Sequence, residues 1–475
     1  MSHPTRRIPR PAPRPWSNWA GTERSLPALA IAPRSEAQIV RAVQRARETG
    51  RTLKPIGASH SFTAIGATDG IRLDPDGLSG LVAADVPRGR VTLLGGTRLW
   101  QLPAILEPLG LALPNMGDID RQTIAGATQT GTHGTGLGLG GLATAVVGAR
   151  IVTGTGEVLD LGETPAGGPP AGGPPAGGPA SGGPVSGGSP ADAADAAGLL
   201  PAVALGLGAL GVIVSLTLQC VPRFRLHAEE APAPLEAVLD GFAERSRAAD
   251  HFEFFWFPHT VSARTKTNTR LPLDAPGAPL APAARFLDEE LANNLAFGVC
   301  AALGSALPAA TPAVNRLIAG TSSRRAYTDE SHRVFVTRRR VRFREMEYGV
   351  PLEAVPEAIR ELRTMIERRG HRVSFPIEVR AAAADELLLS TAHGRETGYI
   401  AVHRFHRDRD RSYFRDAEAI LAAHDGRPHW GKMHTRTAAE LAAAHPGFES
   451  FAAARDRLDP ERVFANPYLR RVLGA

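Results

Sequence analysis

Glu378 and Arg380 stand two residues apart in the segment SFPIEVR (374–380), whose alternation predicts a β-strand, so both side chains share one face. A carboxylate there can hold hydroxyl groups, and a guanidinium can stabilise an oxygen that gathers negative charge during a reaction. A solvent-side ion pair worth about 0–1 kcal/mol would use the same spacing. His403, in the strand-like run 399–405, carries an imidazole suited to taking a proton near neutral pH, or serves as a packed strand residue. Lys432 closes the turn HWGK (429–432) and offers an ammonium to an anionic or carbonyl oxygen. His429 and His434 have a spacing that zinc sites use, but no Cys pair or acidic partner accompanies them, so no metal is expected.

Small residues dominate two other segments, PIGASHSF (55–62) and IAGATQTGTHGTG (124–136). Small side chains let backbone N–H groups close on an anion, and Ser and Thr hydroxyls add donors. Two such loops could clasp the ends of a phosphate-containing cofactor. They could also be plain turns, with His60 a capping or surface residue. Gly206, Gly208 and Gly211 fit the spacing of a dinucleotide fingerprint, but that motif follows a strand and opens a helix. Here it precedes the β-branched run 212–219, and a tight turn is expected.

The elements that must hold these residues can be read from periodicity. Residues 35–49 place apolar side chains at helical spacing between a Ser N-cap candidate and Gly50, and 356–368 form a second amphipathic helix. Further helices are expected at 99–109, 413–423 and 437–445. Strands are expected at 52–56, 71–73, 81–83, 91–94, 212–219, 252–257, 334–348, 374–380, 386–389 and 399–405. Residues 146–153 and 157–161 read as a hairpin around Gly154-Thr155-Gly156. The pattern predicts an α+β chain with a boundary near Val221–Pro222.

Composition narrows the rest. The 475 residues carry 54 Lys+Arg against 48 Asp+Glu, a formal charge of +6, with 43% hydrophobic and 21% charged residues, which excludes a wholly disordered chain. There is no run of 18 apolar residues, so no membrane-spanning helix is expected. The arginines are scattered, and Arg338-Arg339-Arg340 reads as a solvated strand face rather than a nucleic-acid patch. Cys220 and Cys300, 80 residues apart, give no disulfide framework. The basic, Pro-rich start has no apolar core behind it and reads as a solvated tail, so a cytoplasmic location is expected. Residues 165–190 hold 10 Gly and 8 Pro without a charge, so 164–197 is expected to be a disordered insertion whose deletion leaves activity intact.

PIGASHSF and NMGDIDRQTIAGATQTGTHGTG (115–136) resemble the FAD-binding domain of the vanillyl-alcohol-oxidase-type flavoproteins. FFWFPHT (254–260), EVR (378–380), HWGK (429–432) and NPYLRRVLG (466–474) narrow the resemblance to the sugar-1,4-lactone oxidases, of L-gulono- and D-arabinono-1,4-lactone type, and their alditol oxidase relatives. It runs from about residue 19 to 474, outside the insertion. The resemblance implies a two-subdomain PCMH-type FAD-binding domain over 15–222 and a substrate (cap) domain over 223–457, its mainly antiparallel sheet flanked by helices. A C-terminal segment, 458–475, would return to the flavin.

The same resemblance implies FAD bonded through its 8α-methyl to His60, with Pro55, Ile56, Gly57, Ala58, Ser59, Ser61 and Phe62 wrapping the pyrophosphate. Gly117, Asp118, Thr123, Gly126, Gly131, Thr132, His133, Gly134 and Thr135 would run beside the isoalloxazine and phosphates. Gly148, Val212 and Ile213 would flank the adenine, and Asn466 and Tyr468 would reach back to the flavin. Gly117 matches a position next to the flavin carbon that meets oxygen; dehydrogenase relatives shield it with a larger side chain, so glycine favours an oxidase. Asp118 stands where alditol-specific members carry Ser, which favours a lactone. FEFFWF (252–257) would form the pocket wall. Glu378, Arg380 and Lys432 would orient substrate and stabilise charge, and His403 would take the hydroxyl proton.

The expected reaction is oxidation of the C2 hydroxyl of an aldono-1,4-lactone by hydride transfer to flavin N5, giving a 2-keto, ascorbate-type product while O2 becomes H2O2. An alditol oxidase of the same fold, a lactone dehydrogenase using another acceptor and a flavin-loaded carrier without turnover are the alternatives. The expected partners are a small-molecule lactone or polyol and O2, with no nucleic acid and no stable membrane insertion.

Overall fold

The computed structural model describes residues 15–163, 198–287, 294–295, 297–321, 323–337, 339–408 and 412–475. The expected insertion 164–197, most of the basic start and Arg338 lie outside the described residues. Three short parallel strands, β1 (Leu29–Ile31), β2 (Leu53–Pro55) and β3 (Ile71–Leu73), pair in the order β1-β3-β2. Helix α1 (Glu36–Glu48) crosses from β1 to β2, as parallel strands require, and buries Ile39, Val43 and Ala46 against Leu53, Ile71 and Leu73. Ser35 takes the N-cap position without a side-chain cap bond.

A five-stranded antiparallel sheet follows, formed by β4 (Leu81–Asp85), β5 (Arg90–Leu94), β6 (Val146–Val152), β7 (Val158–Gly162) and β8 (Val212–Gln219) in the order β7-β6-β8-β5-β4. β6 and β7 are the expected hairpin. β8 lies at the centre and is buried along nearly its whole length, which explains its continuous β-branched run. The helix expected over 99–109 is instead a 3-10 turn, a short helix (Leu102–Leu106) and another 3-10 turn (Glu107–Leu109), because Pro103 and Pro108 each remove a backbone donor. Helix α2 (Ile124–Gln129) starts at Thr123, whose side chain accepts from the Gly126 N–H.

The second half is built on an eight-stranded sheet whose pairings are all antiparallel. Its strands are β9 (Phe224–Pro234), β10 (His251–Trp256), β11 (Ser262–Pro272), β12 (Arg325–Glu330), β13 (Phe343–Pro351), β14 (Ile377–Ala382), β15 (Thr397–Phe405) and β16 (Arg427–Pro428). Their order is β12-β9-β11-β10-β14-β15-β13-β16. Helices α3 (Val355–Arg369) and α4 (Ser412–Ala423) cover one face, packing Ile359, Leu362, Tyr413 and Leu421 on Phe254, Trp256, Tyr348, Val379 and Val402. The period of two then turns the intervening residues of the same strands, Glu253, Glu345, Glu347, Glu378, Arg380 and His403, to the opposite face. The fold is α+β.

Of the strands expected from the sequence, one is shortened and one is absent from the described residues. The stretch 334–348 contains the end of a helix (Ser331–Phe335), then irregular chain, and β13 begins only at Phe343. Residues 386–389 form a turn held by Asp385, which accepts from the Leu387 N–H at 3.0 Å and the Ser390 hydroxyl at 2.6 Å. The chain ends in helix α5 (Pro467–Leu473), whose Leu469 and Val472 join the core of Leu93, Ile151 and Leu216 in the first half. Among the described residues no helix is long and apolar enough to cross a membrane.

Candidate active site

Residues 55–61 at the end of β2, the start of α2 and the turn Leu207-Gly208 line a cleft. A Cβ on Gly57 would lie 2.5 Å from Thr123 Oγ1 and 3.5 Å from Gly126 Cα, so glycine is what lets the two loops meet. Ser59 has a left-handed backbone (φ 59°). It is pinned by Trp16 Nε1 donating to its hydroxyl at 2.8 Å and by the Trp19 N–H donating to its carbonyl at 2.8 Å. Among the described residues, none of the backbone N–H groups of Gly57 to Ser61 has a partner in the chain, and no carboxylate lines the cleft. Lys54 is buried at its floor and donates to the carbonyls of Leu207 (3.1 Å) and Gly208 (3.0 Å). Burial, helped by the Arg455 charge, pushes its pKa down to about 7. Unmet N–H groups, a cation and no acid fit a pyrophosphate, and the flanking Ile56, Ile65, Val212 and Ile213 fit flat apolar rings.

His60, Ser61, Gln122 and Thr130 are shared with a second cavity, so the two form one trough. His60 sits at the junction, its ring stacked on Trp19 with centroids 5.8 Å apart. Burial, with the charges of Arg98, Lys432 and Arg121, lowers its pKa to about 4 and leaves the imidazole neutral.

The second cavity is the charged face of the eight-stranded sheet. Glu378 and Arg380 of β14 are in contact, and Arg380 Nε donates to Glu253 of β10 at 2.9 Å. Asp118, beside Gly117, contacts Arg339 and lies 3.8 Å from the Arg380 guanidinium. Lys432 contacts Glu345 of β13 and lies 3.9 Å from Glu347. Burial alone would raise these carboxyls, but Arg339 and Arg380 hold Asp118 down to about 2, and Lys432 and His403 hold Glu345 there. Glu347 is held well below the ordinary range by His133 and Lys432 against the same burial. Glu378 goes the other way: burial, with Asp118 nearby, outweighs Arg380 and raises it. Burial works against the Lys432 ammonium, but Glu345 and Glu347 raise its pKa and keep it charged.

All four expected catalytic residues, Glu378, Arg380, His403 and Lys432, line this cavity. His403 does not fit the role of proton acceptor. Its Nδ1 faces the Pro376 carbonyl at 3.0 Å and its Nε2 faces the Glu345 carboxylate at 3.4 Å. Each ring nitrogen therefore faces an oxygen of the chain, and neither is turned to a substrate hydroxyl. Of the expected cofactor residues, Pro55, Ile56, Gly57, Ala58, Ser59, His60, Ser61, Thr123, Gly126, Val212 and Ile213 line the first part of the trough. Phe62, Gly117, Asp118, Thr132 and His133 line the second, and Gly131 joins His133 in a smaller pocket.

Besides Gly131, five expected cofactor residues do not line the trough. Gly148 lies inside β6, paired with Thr217 and Gly162. A Cβ on Gly134 would strike Asn115 and the Met116 carbonyl, so its task is close packing. Thr135 binds the Phe252 carbonyl and the Ala381 N–H, tying the two halves together. Asn466 donates to the carbonyls of Ala64, Ile65 and Ala67 at 2.9–3.1 Å, and Tyr468 donates to the Trp430 carbonyl at 3.0 Å, so both brace the loop after His60 from behind. His434 accompanies Tyr468 at 2.9 Å rather than His429. FEFFWF supplies core residues on one face and Glu253, behind Arg380, on the other.

The structure also brings in residues the sequence reading passed over. Arg339, expected on a solvated strand, lies in irregular chain with its guanidinium in the cavity. Glu345 and Glu347, two apart on β13, carried the alternation that marks a one-sided strand, and it was their signal. Lys54 gave none, since a lysine before a glycine loop is ordinarily solvated.

A family model described as "FAD binding domain" matches residues 27–162. The fold is shared with solved structures named "Solvent-stable cholesterol oxidase" (TM-score 0.76, 18% identity, 98% of both chains) and cholesterol oxidase from B. sterolicum (TM-score 0.74, 16% identity, 100% of both). Together with the trough, these define an FAD-dependent oxidoreductase with a PCMH-type FAD-binding fold. A second family model, "D-arabinono-1,4-lactone oxidase", matches residues 216–472. L-gulono-1,4-lactone dehydrogenase of Mycobacterium tuberculosis is 40% identical over 459 residues, 97% of this chain and 99% of that protein. L-gulonolactone oxidase of Bos taurus is 29% identical over 466 residues, 96% and 98% of the two chains. The chain belongs to the D-arabinono-1,4-lactone oxidase family of sugar-1,4-lactone oxidoreductases.

Proposed function

We propose that the protein oxidises a ring hydroxyl of an aldono-1,4-lactone of L-gulono or D-arabinono type, with residues 15–222 and 458–475 as the FAD-binding unit and 223–457 as the substrate unit. The observation that carries this reading is the second cavity, where cations and carboxylates are paired on one sheet face at the end of the FAD trough. FAD, when bound, supplies the two-electron acceptor. Gly57 to Ser61 hold its pyrophosphate on their unpaired N–H groups, and His60, kept neutral, is the residue to which it is bonded. Arg380, fixed by Glu253, and Lys432, fixed by Glu345, orient the lactone and stabilise negative charge on its oxygens. Glu378 takes the hydroxyl proton in place of His403: burial raises its carboxyl above the ordinary range, which makes it a better proton acceptor than the other carboxylates of the cavity. Asp118 in place of Ser favours a lactone over an alditol.

Oxygen as the acceptor, with H2O2 released, is supported by Gly117, which adds no side chain to the cavity. A second reading, a dehydrogenase passing electrons to another acceptor, is favoured by the name of the 40%-identical mycobacterial relative. A peroxide-coupled screen of sugar lactones and alditols, run beside an anaerobic dye-reduction screen, tests both. Peroxide with L-gulono- or D-arabinono-1,4-lactone supports the oxidase. Dye reduction without peroxide supports the dehydrogenase, and turnover of xylitol or sorbitol alone overturns the lactone reading.

A further inference from the structure

Asp118, Arg339, Glu378 and Arg380 form a closed circuit of alternating charge in the cavity wall. Asp118 contacts Arg339, and Glu378 contacts Arg380. The other two sides are open: Arg339 NH2 lies 3.8 Å from Glu378 Oε2, and Arg380 NH2 lies 3.8 Å from Asp118 Oδ2. A separation of 3.8 Å is beyond a hydrogen bond, so each open side leaves N–H groups and carboxylate lone pairs without a partner across it. Glu378 Oε1 is the oxygen that contacts Arg380, which leaves Oε2 facing the open side toward Arg339. The segment carrying Arg339 is held against Asp118 a second time, by the Thr337 N–H donating to the Asp118 carbonyl at 3.1 Å.

We propose that Arg339 is a substrate-binding residue that closes this circuit on the lactone, its guanidinium donating to a ring or carbonyl oxygen while Asp118 and Glu378 accept from hydroxyls. The inference rests on the lactone reading above. A hydroxyl both donates and accepts, so a neutral ring bearing neighbouring oxygens can satisfy a carboxylate and a guanidinium together. The circuit has two positive and two negative members and no charge left over. An aldonate, the open acid formed by lactone hydrolysis, would bring an extra negative charge beside Asp118 and Glu378. Asp118 and Glu378 therefore favour the closed lactone over its acid. Lysine cannot replace Arg339, because an ammonium cannot present parallel donors to two oxygens.

The test uses the FAD-loaded full chain, L-gulono-1,4-lactone as the probe and the variants Arg339→Gln and Arg339→Lys. KM for the lactone is expected to rise about 10- to 100-fold in Arg339→Gln, with the loss falling on KM more than on kcat, and Arg339→Lys recovers it only in part. Flavin content and the visible spectrum confirm that each variant is folded and loaded. A KM within about twofold of wild type in Arg339→Gln overturns the inference while the lactone activity of the wild type still stands. An Arg339→Gln effect that disappears in an Asp118→Asn background also overturns it, because Arg339 would then act only by holding Asp118. No turnover of any lactone by the wild type would sink the functional reading instead.

Discussion

Lys54 offers a test of the cofactor cleft through stability alone. In the folded chain its pKa falls to about 7 from the ordinary 10.5. Between those pH values the unfolded chain binds more protons than the folded one, so stability rises with pH across that window. Below about pH 7 the ammonium is present in both states and its full burial cost stands. At about 1.4 kcal/mol for each pH unit the whole gap is worth about 5 kcal/mol, and the stretch from pH 7 to 9 about 2–3 kcal/mol. Unfolding entropy of about 2 cal/mol/K per residue makes this about 2–3 °C in melting temperature for a chain of this length. Lys54→Met lacks the titrating group. It also leaves the buried Leu207 and Gly208 carbonyls without their donor, at about 1–3 kcal/mol each, in a turn where both residues are left-handed (φ 58° and 59°). The neutral amine still donates to both, so wild type keeps that advantage at high pH. Tryptophan-fluorescence melting of both flavin-free proteins from pH 6 to 9 should show the wild-type lead widening by about 2–3 °C between pH 7 and 9. Parallel curves, or a lead that narrows, would refute the reasoning.

Three further outcomes are expected. Acid precipitation of the wild type should carry the yellow colour into the pellet and His60→Ala should release it; colour left in the wild-type supernatant would rule out the bond. Gly117→Val should slow flavin reoxidation by O2 at least about 10-fold in stopped flow while anaerobic reduction by lactone changes much less, because even a Cβ there meets the His133 carbonyl at 3.2 Å and Thr132 Cγ2 at 3.3 Å. Equal slowing of both half-reactions would count against a gate. Glu253→Gln should lower kcat/KM about 100-fold and reduce melting temperature, since it takes the buried charge from Arg380 (2.9 Å) and Lys266 (3.5 Å); an unchanged kcat/KM would show that Arg380 needs no such brace.

The parts of the fold that followed local rules were legible. Helix α1 and helix α3 announced themselves through one apolar stripe each, and β8 through its β-branched run before Cys220. Gly57 and Thr123 were legible as a cofactor cradle because close backbone approach needs small residues whatever the rest of the chain does. What failed was whatever depended on which side of a sheet faces water. Glu345, Glu347 and Arg339 have the polarity of a solvated surface, and only the packing of the first half over that face turns them inward. The role of His403 failed for a related reason: its residue type permits a base, but Pro376 and Glu345, distant in sequence or on another strand, occupy both nitrogens. Asn466 and Tyr468 were placed near the right loop but on its far side, because a motif does not say whether a residue touches a ligand or the backbone that does.

The brace by Asn466 has a bearing on how the protein is made. The loop after His60 emerges from the ribosome early, yet three of its carbonyls wait for an amide that is synthesised about 400 residues later. The cleft floor waits similarly for the Leu207-Gly208 turn that receives Lys54. A nascent chain therefore lacks the finished brace behind this loop until residue 466 has cleared the exit tunnel.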